Sequence, residues 1–105
     1  MKYLLVTAIL AVSTLAIAQN DDWESMGEQI YIQKGCIGCH GVAGVGASGP
    51  RLAGVSAEYI IEQLEDFQDG TRMNLTMEVM SLQVEGLEAI VAAYLASRVA
   101  FIEEK

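Results

Sequence analysis

The chain has 105 residues, with six Lys and Arg against fourteen Asp and Glu, for a formal net charge of −8. That length suits one domain, and the acidity excludes a nucleic-acid binder, which needs a basic face. Protein partners with basic docking patches fit such a charge, as does simple solubility.

The first segment reads as a leader. Lys2 forms a short positive n-region, residues 3–15 form an apolar run, and Ala16-Ile17-Ala18 fits the small-residue cleavage pattern, with the cut expected before Gln19. The run is shorter than the roughly 20 residues of a spanning helix. The expectation is a cleaved secretory signal peptide over 1–18 and a single domain over 19–105. It places the mature chain in the bacterial periplasm, without stable membrane insertion after cleavage. Loss of Lys2 takes the net charge one unit further negative.

Asn20, Asp21 and Asp22 supply negative charge and cap candidates ahead of a helix. Met26, Ile30 and Tyr31 at helical spacing predict that helix over 23–34, with Ser25-x-x-Glu28 as an alternative capping-box start. Gly35 closes it. The run Cys36-Ile37-Gly38-Cys39-His40 follows at once and holds both cysteines and the only histidine.

Cys-x-x-Cys-His is the c-type haem attachment pattern. Two thiols three positions apart can each form a thioether to a haem vinyl group, and the adjacent imidazole can ligate the iron. The other readings are weaker. A disulfide across two residues closes too small a loop to stabilise much. A thioredoxin-like pair is expected beside a βαβ pattern. Zinc wants four ligands, and no second pair exists, whereas a haem brings four nitrogens of its own. One haem c, covalent through Cys36 and Cys39, is the expected cofactor. It would also enlarge a core that is marginal at this length.

Residues 41–55 hold five glycines and the only proline, Pro50, and predict a loop. Ser56 is an N-cap for a second helix over 57–69, with Ile60, Leu64 and Phe67 as its apolar stripe and Glu58, Glu62, Glu65, Asp66 and Asp69 off it. Gly70 stops that helix. Residues 71–84 read as irregular and carry Met73, Met77 and Met80. A third helix over 85–101 presents Leu87, Ile90, Val91, Tyr94 and Leu95. The fold class is all-α, with about three main helices around one haem.

The order of these parts resembles the class I c-type cytochromes. Gly27 to Tyr31, Lys34 to Gly41, Gly49 to Gly54, Glu58 to Phe67, Gly70 to Arg72 and Ala92 to Leu95 carry the resemblance. They look most like the small bacterial monohaem carriers related to each half of the diheme cytochromes c. The resemblance implies that Cys36 and Cys39 bind the vinyl-derived carbons and that His40 is the proximal ligand. It implies that the Pro50 carbonyl accepts the other ring N–H and that Arg51 pairs with a haem propionate. Gly27 and Tyr31 would pack where the first helix crosses the last near Tyr94. Met77 would be the sixth ligand, with Met80 and Met73 as alternatives, because this segment lacks the family's Met-Pro and Leu-Ser-Asp-Glu cues.

The implied function is a soluble one-electron carrier, not an enzyme, serving redox partner proteins as a monomer or weak dimer. The alternative is the cytochrome subunit of a larger periplasmic dehydrogenase, for example in sulfur-compound oxidation. A ligand-binding or catalytic haem fits less well, since there is no second histidine and no basic residue over 73–80.

Overall fold

A computed structural model describes residues 22–98. The leader, its cut before Gln19 and the expected last turn of the final helix at 99–101 lie outside the described residues. In chain order the elements are α1 (Asp22–Gln33), α2 (Cys36–His40), a 3-10 turn (Val42–Gly44), α3 (Ala57–Asp69), α4 (Leu75–Leu82) and α5 (Glu88–Ala96). No strand occurs among the described residues, so the all-α expectation holds.

α1 begins with Asp22 and Glu24 in its first turn, where carboxylates favour the positive end of the helix. Gly35, at φ 87°, turns the chain out of α1 and directly into α2, a left-handed conformation that suits glycine. The buried face of α1 is Gly27 and Tyr31, one turn apart. This face crosses α5, the most extensive helix contact in the molecule. A Cβ on Gly27 would lie 2.6 Å from the Tyr94 Cβ and 2.7 Å from the Ile90 carbonyl oxygen. Only a hydrogen fits there. The Tyr31 and Tyr94 rings pack 5.8 Å apart in a tilted arrangement. Arg98 then pairs with Glu24 and stacks over the Tyr94 ring, clasping the far end of the crossing. Val91, Ala92 and Leu95 of α5 and Ile60 of α3 complete the central cluster.

α3 forms where expected. The Ser56 hydroxyl accepts from the Tyr59 amide at 3.2 Å, Ile60 and Phe67 are buried, and Gly70 ends the helix. The acidic residues lie outside the apolar stripe, and all but the half-buried Asp66 are exposed.

Two expectations are corrected. Residues 71–84 are not irregular: 75–82 form α4, so the described residues hold five α-helices rather than three. Asn74 caps α4 by accepting from the Met77 amide at 2.9 Å, and the Glu78 carboxylate accepts from the Asn74 amide at 3.0 Å. Periodicity hid this helix because apolar residues run round it, Met77 and Met80 toward one side and Leu75, Val79 and Leu82 toward another, so no single stripe stands out. Ser81 is its only buried residue, while Leu75, Val79 and Leu82 face outward. The final helix also starts at Glu88 rather than 85, because Gly86 adopts φ 84° and breaks the helical run.

Gly27→Ala should force α1 off α5 and cost about 1–3 kcal/mol, the usual range for overpacking. For a domain of this size that corresponds to a drop in Tm of roughly 5–15 °C, read by far-ultraviolet circular dichroism. An unchanged Tm would mean that the crossing is not a close-packed contact.

Candidate cofactor site

The short loop after α1 makes the attachment motif one turn of helix, so Cys36 and Cys39 lie on one side with His40 beside them. The sulfurs are not bonded to each other; Cys36 is half-buried and Cys39 exposed. Burial pushes the Cys36 thiol above its ordinary range, which keeps the unreacted side chain neutral.

His40 is buried. Its Nδ1 lies 2.7 Å from the Pro50 carbonyl oxygen. A carbonyl only accepts, so Nδ1 carries a proton, and Nε2 is the ring nitrogen left to act as a ligand. The chain holds the ring from a second side as well, where a Cβ on Gly49 would sit 3.1 Å from His40 Cε1 and Nδ1. Backbone bonds fix this loop: the Gly49 amide donates to the Cys39 carbonyl at 2.7 Å and the Gly46 amide to the His40 carbonyl at 2.6 Å.

Tyr31 connects the helix crossing to the motif. Fully buried, it donates its hydroxyl to the Gly41 carbonyl at 2.6 Å, directly after His40. The same carbonyl accepts the Gly44 amide at 3.1 Å. Sequence reasoning saw Tyr31 only as a packing residue, since periodicity reports a buried ring but not the aim of its hydroxyl. Burial, and after it Cys36 and Tyr94, push the Tyr31 phenol well above its ordinary 10.0. Burial also raises Tyr94, aided by Glu28 and opposed by Arg98.

Two adjoining voids open beside the motif, of about 630 Å³ and about 990 Å³ with their mouths included. They share His40, Leu52, Ile60, Leu64 and Met77 as walls, so they are halves of one cleft. The first half also meets Cys36, Cys39 and Met80 and is closed by Tyr31, Val84, Val91 and Leu95. The second meets Pro50, Arg51, Arg72 and Met73. Met77 thus lines both halves and Met80 one. Met73 stands at the rim, 82% exposed. Met80 reaches back over Gly35, where a Cβ would lie 3.4 Å from its terminal methyl carbon. Arg72 had no expected role; it donates to the Gln63 side-chain oxygen at 2.6 Å and lies 4.8 Å over the Phe67 ring.

The donor set favours a group that brings its own ligands. No cluster of three or more His, Cys, Asp or Glu able to hold a bare metal ion occurs among the described residues. The cleft instead offers one imidazole, two thiols, three thioethers (that of Met73 at the rim) and otherwise largely apolar walls, which suits a flat apolar macrocycle.

The cytochrome c family model matches residues 25–97, and the chain belongs to that family. Its cofactor is accordingly haem c, with Cys36 and Cys39 in the attachment spacing. The chain is 35% identical over 86 residues to the thiosulfate dehydrogenase electron acceptor of Thiomonas intermedia, covering 76% of this chain and 38% of that protein. It is 40% identical over 78 residues to the protein of the same description in Stutzerimonas stutzeri, covering 63% and 36%. It is 33% identical over 69 residues to cytochrome c-554(548) of Halomonas halodenitrificans, covering 60% of this chain and 83% of that protein. The chain therefore spans less than half the length of the two thiosulfate dehydrogenase electron acceptors. No solved structure gives a significant match.

The two tyrosines set an alkaline limit. Their folded pKa values lie above the unfolded value, so the stability they contribute is complete below about pH 10 and is lost as pH rises beyond it. The denaturant midpoint should stay level from neutral pH to about 9 and fall above about 10. Tyr31→Phe should flatten that fall and cost about 1 kcal/mol at neutral pH through the lost bond to Gly41. An alkaline slope identical in wild type and variant would refute the assignment to Tyr31.

Proposed function

We propose that this chain is a soluble periplasmic one-electron carrier, with haem c attached through Cys36 and Cys39 and ligated by His40 and Met77. The observation that carries the reading is the single cleft that gathers both cysteines, an imidazole whose Nδ1 is held by the Pro50 carbonyl, and a methionine sulfur.

Bound in the cleft, the haem supplies a one-electron ferrous/ferric couple. The chain's own residues do the rest. Pro50 fixes the His40 tautomer and ring orientation through its carbonyl, as outer partners of ligating histidines do. The Met77 thioether favours the reduced state and raises the potential. Leu52, Ile60, Leu64, Val84, Val91 and Leu95 keep water from the cleft. Arg51, on the wall of the second half, is suited to pair with a haem propionate. Held by both His40 and Met77, the iron would have no ligand position left for substrate, which is the ground for reading a carrier rather than an enzyme.

Residues 1–18 act in this reading as the export signal and leave a single domain over 19–105, free of the membrane. No described helix is long and apolar enough to cross one. The acidic surface steers encounter with basic redox partners and predicts salt-sensitive rates.

The names of two relatives, thiosulfate dehydrogenase electron acceptors, favour a second reading of the partner. The donor would be a sulfur-compound dehydrogenase, with this chain as its acceptor or its cytochrome subunit. Copurification of a dehydrogenase with the tagged chain at high salt would support the subunit form; isolation of the chain alone would support the carrier.

In ferric Met77→Ala holoprotein, the weak far-red band of methionine-to-iron coordination should vanish. The potential should fall by on the order of 0.1–0.3 V, within the ≈0.8 V range that axial ligands command. Met80→Ala should leave both in place. The opposite result would make Met80 the ligand, and a wild-type protein without the band would sink six-coordination by methionine.

A further inference from the structure

We propose that Gln68 is the positioning residue for the sixth ligand, holding α4 so that its cavity-lining sulfurs stay in ligating register. The inference rests on the reading that a methionine of α4 ligates the iron, and it holds whether that methionine is Met77 or Met80.

α4 is the least anchored wall of the cleft. The attachment helix α2 joins the cofactor covalently, and α5 is buried against α1. α4 instead leaves Leu75 84%, Val79 59% and Leu82 51% exposed and buries only Ser81. Apolar burial on this scale gives a helix little purchase. Its packing is mainly against α3.

One side chain bridges the gap. The half-buried Gln68, in the last turn of α3, donates from Nε2 to the Ser81 carbonyl at 2.9 Å and to Glu88 Oε2 at 2.9 Å. A single amide thereby ties α3, the last turn of α4 and the first turn of α5. The Ser81 carbonyl belongs to the end of α4, where carbonyls lack regular intrahelical partners; besides Gln68 it accepts the Val84 amide at 3.2 Å and a contact from the capping Gln83 amide, both within the tightening turn. Glu88 is held from its other oxygen, Oε1, by the Gly86 amide at 3.0 Å. Met77 stands one turn before Ser81 and Met80 is its neighbour, so the anchored turn carries both sulfurs. Removing the two donors frees the end of α4 while leaving the His40 side of the cleft untouched.

The test uses the ferric holoprotein and imidazole as a competing ligand, with Gln68→Leu against wild type. Imidazole binds by displacing the methionine, so its affinity reads how firmly α4 holds the sulfur in place. The expected result is imidazole binding about tenfold tighter and a weaker far-red methionine band, the effect of about one net hydrogen bond. Covalent haem content and helicity should be unchanged. Gln68→Ala, which also removes the N–H donors and adds no charge beside Glu88, should behave alike and serves if the leucine variant does not accumulate. Imidazole affinity within twofold of wild type in the variant that folds, even with a lower Tm, overturns the proposal and leaves Gln68 a stabilising residue only. A wild-type protein lacking the far-red band overturns the coordination reading itself and this proposal with it, which distinguishes the two failures.

Discussion

The close crossing of α1 over α5 at Gly27 is the constraint from which the site follows. With no side chain at Gly27, α1 lies against Tyr94 and Ile90, and that depth carries the Tyr31 ring into the core, where nothing of it is exposed. From there its hydroxyl reaches the Gly41 carbonyl. Gly41 follows His40, so the packing of two helices sets the height of the attachment motif over the cleft. The loop beyond it closes on the same point, with Pro50 at His40 Nδ1 and Gly49 against the ring. A contact remote from the chemistry thus fixes an imidazole through a tyrosine hydroxyl and a run of backbone bonds.

The opposite wall is built on another principle. α4 is held by a reciprocal cap at Asn74, by packing on α3 and by the Gln68 amide, with little apolar burial. Local stability in a protein follows buried contact, so the methionine wall is the part of the cleft that opens at least cost. On the proposed reading this asymmetry is tolerable because the cofactor is bonded to the other wall. A methionine that lets go changes the coordination and the potential but does not release the haem.

Most of the frame was legible in the residues themselves. Cys36, Cys39 and His40 announce the cofactor by spacing alone, Ser56 and Gly70 bound α3, and the Ile60, Leu64, Phe67 stripe sets its inward face. The resemblance to class I cytochromes supplied what spacing could not, namely the roles expected for Pro50, Arg51 and Met77. What escaped was of two kinds. α4 escaped because its apolar residues surround the helix, Met77 and Met80 toward the cleft and Leu75, Val79 and Leu82 outward, so no one face stands out against a polar one. Tyr31 to Gly41 and Gln68 to Ser81 and Glu88 escaped because the direction of a polar tip depends on tertiary placement. The second kind concerns groups whose partners lie ten or more residues away.

Charge placement carries the argument one step further. A chain of net charge −8 opposes the gain of an electron by its own field. Most of the acids on α3 stand on its outer, solvated side, where screening over about 8 Å at physiological salt blunts them. Arg51 and Arg72, two of the four Lys and Arg among the described residues, line the second half of the cleft itself. Arg72 is steadied there by Gln63 and the face of Phe67. Both arginines are exposed, but charges on a cavity wall are nearer to its occupant than charges on an outer helix face. Near cations therefore weigh more per charge than distant anions, so the cleft can favour added negative charge while the surface stays acidic.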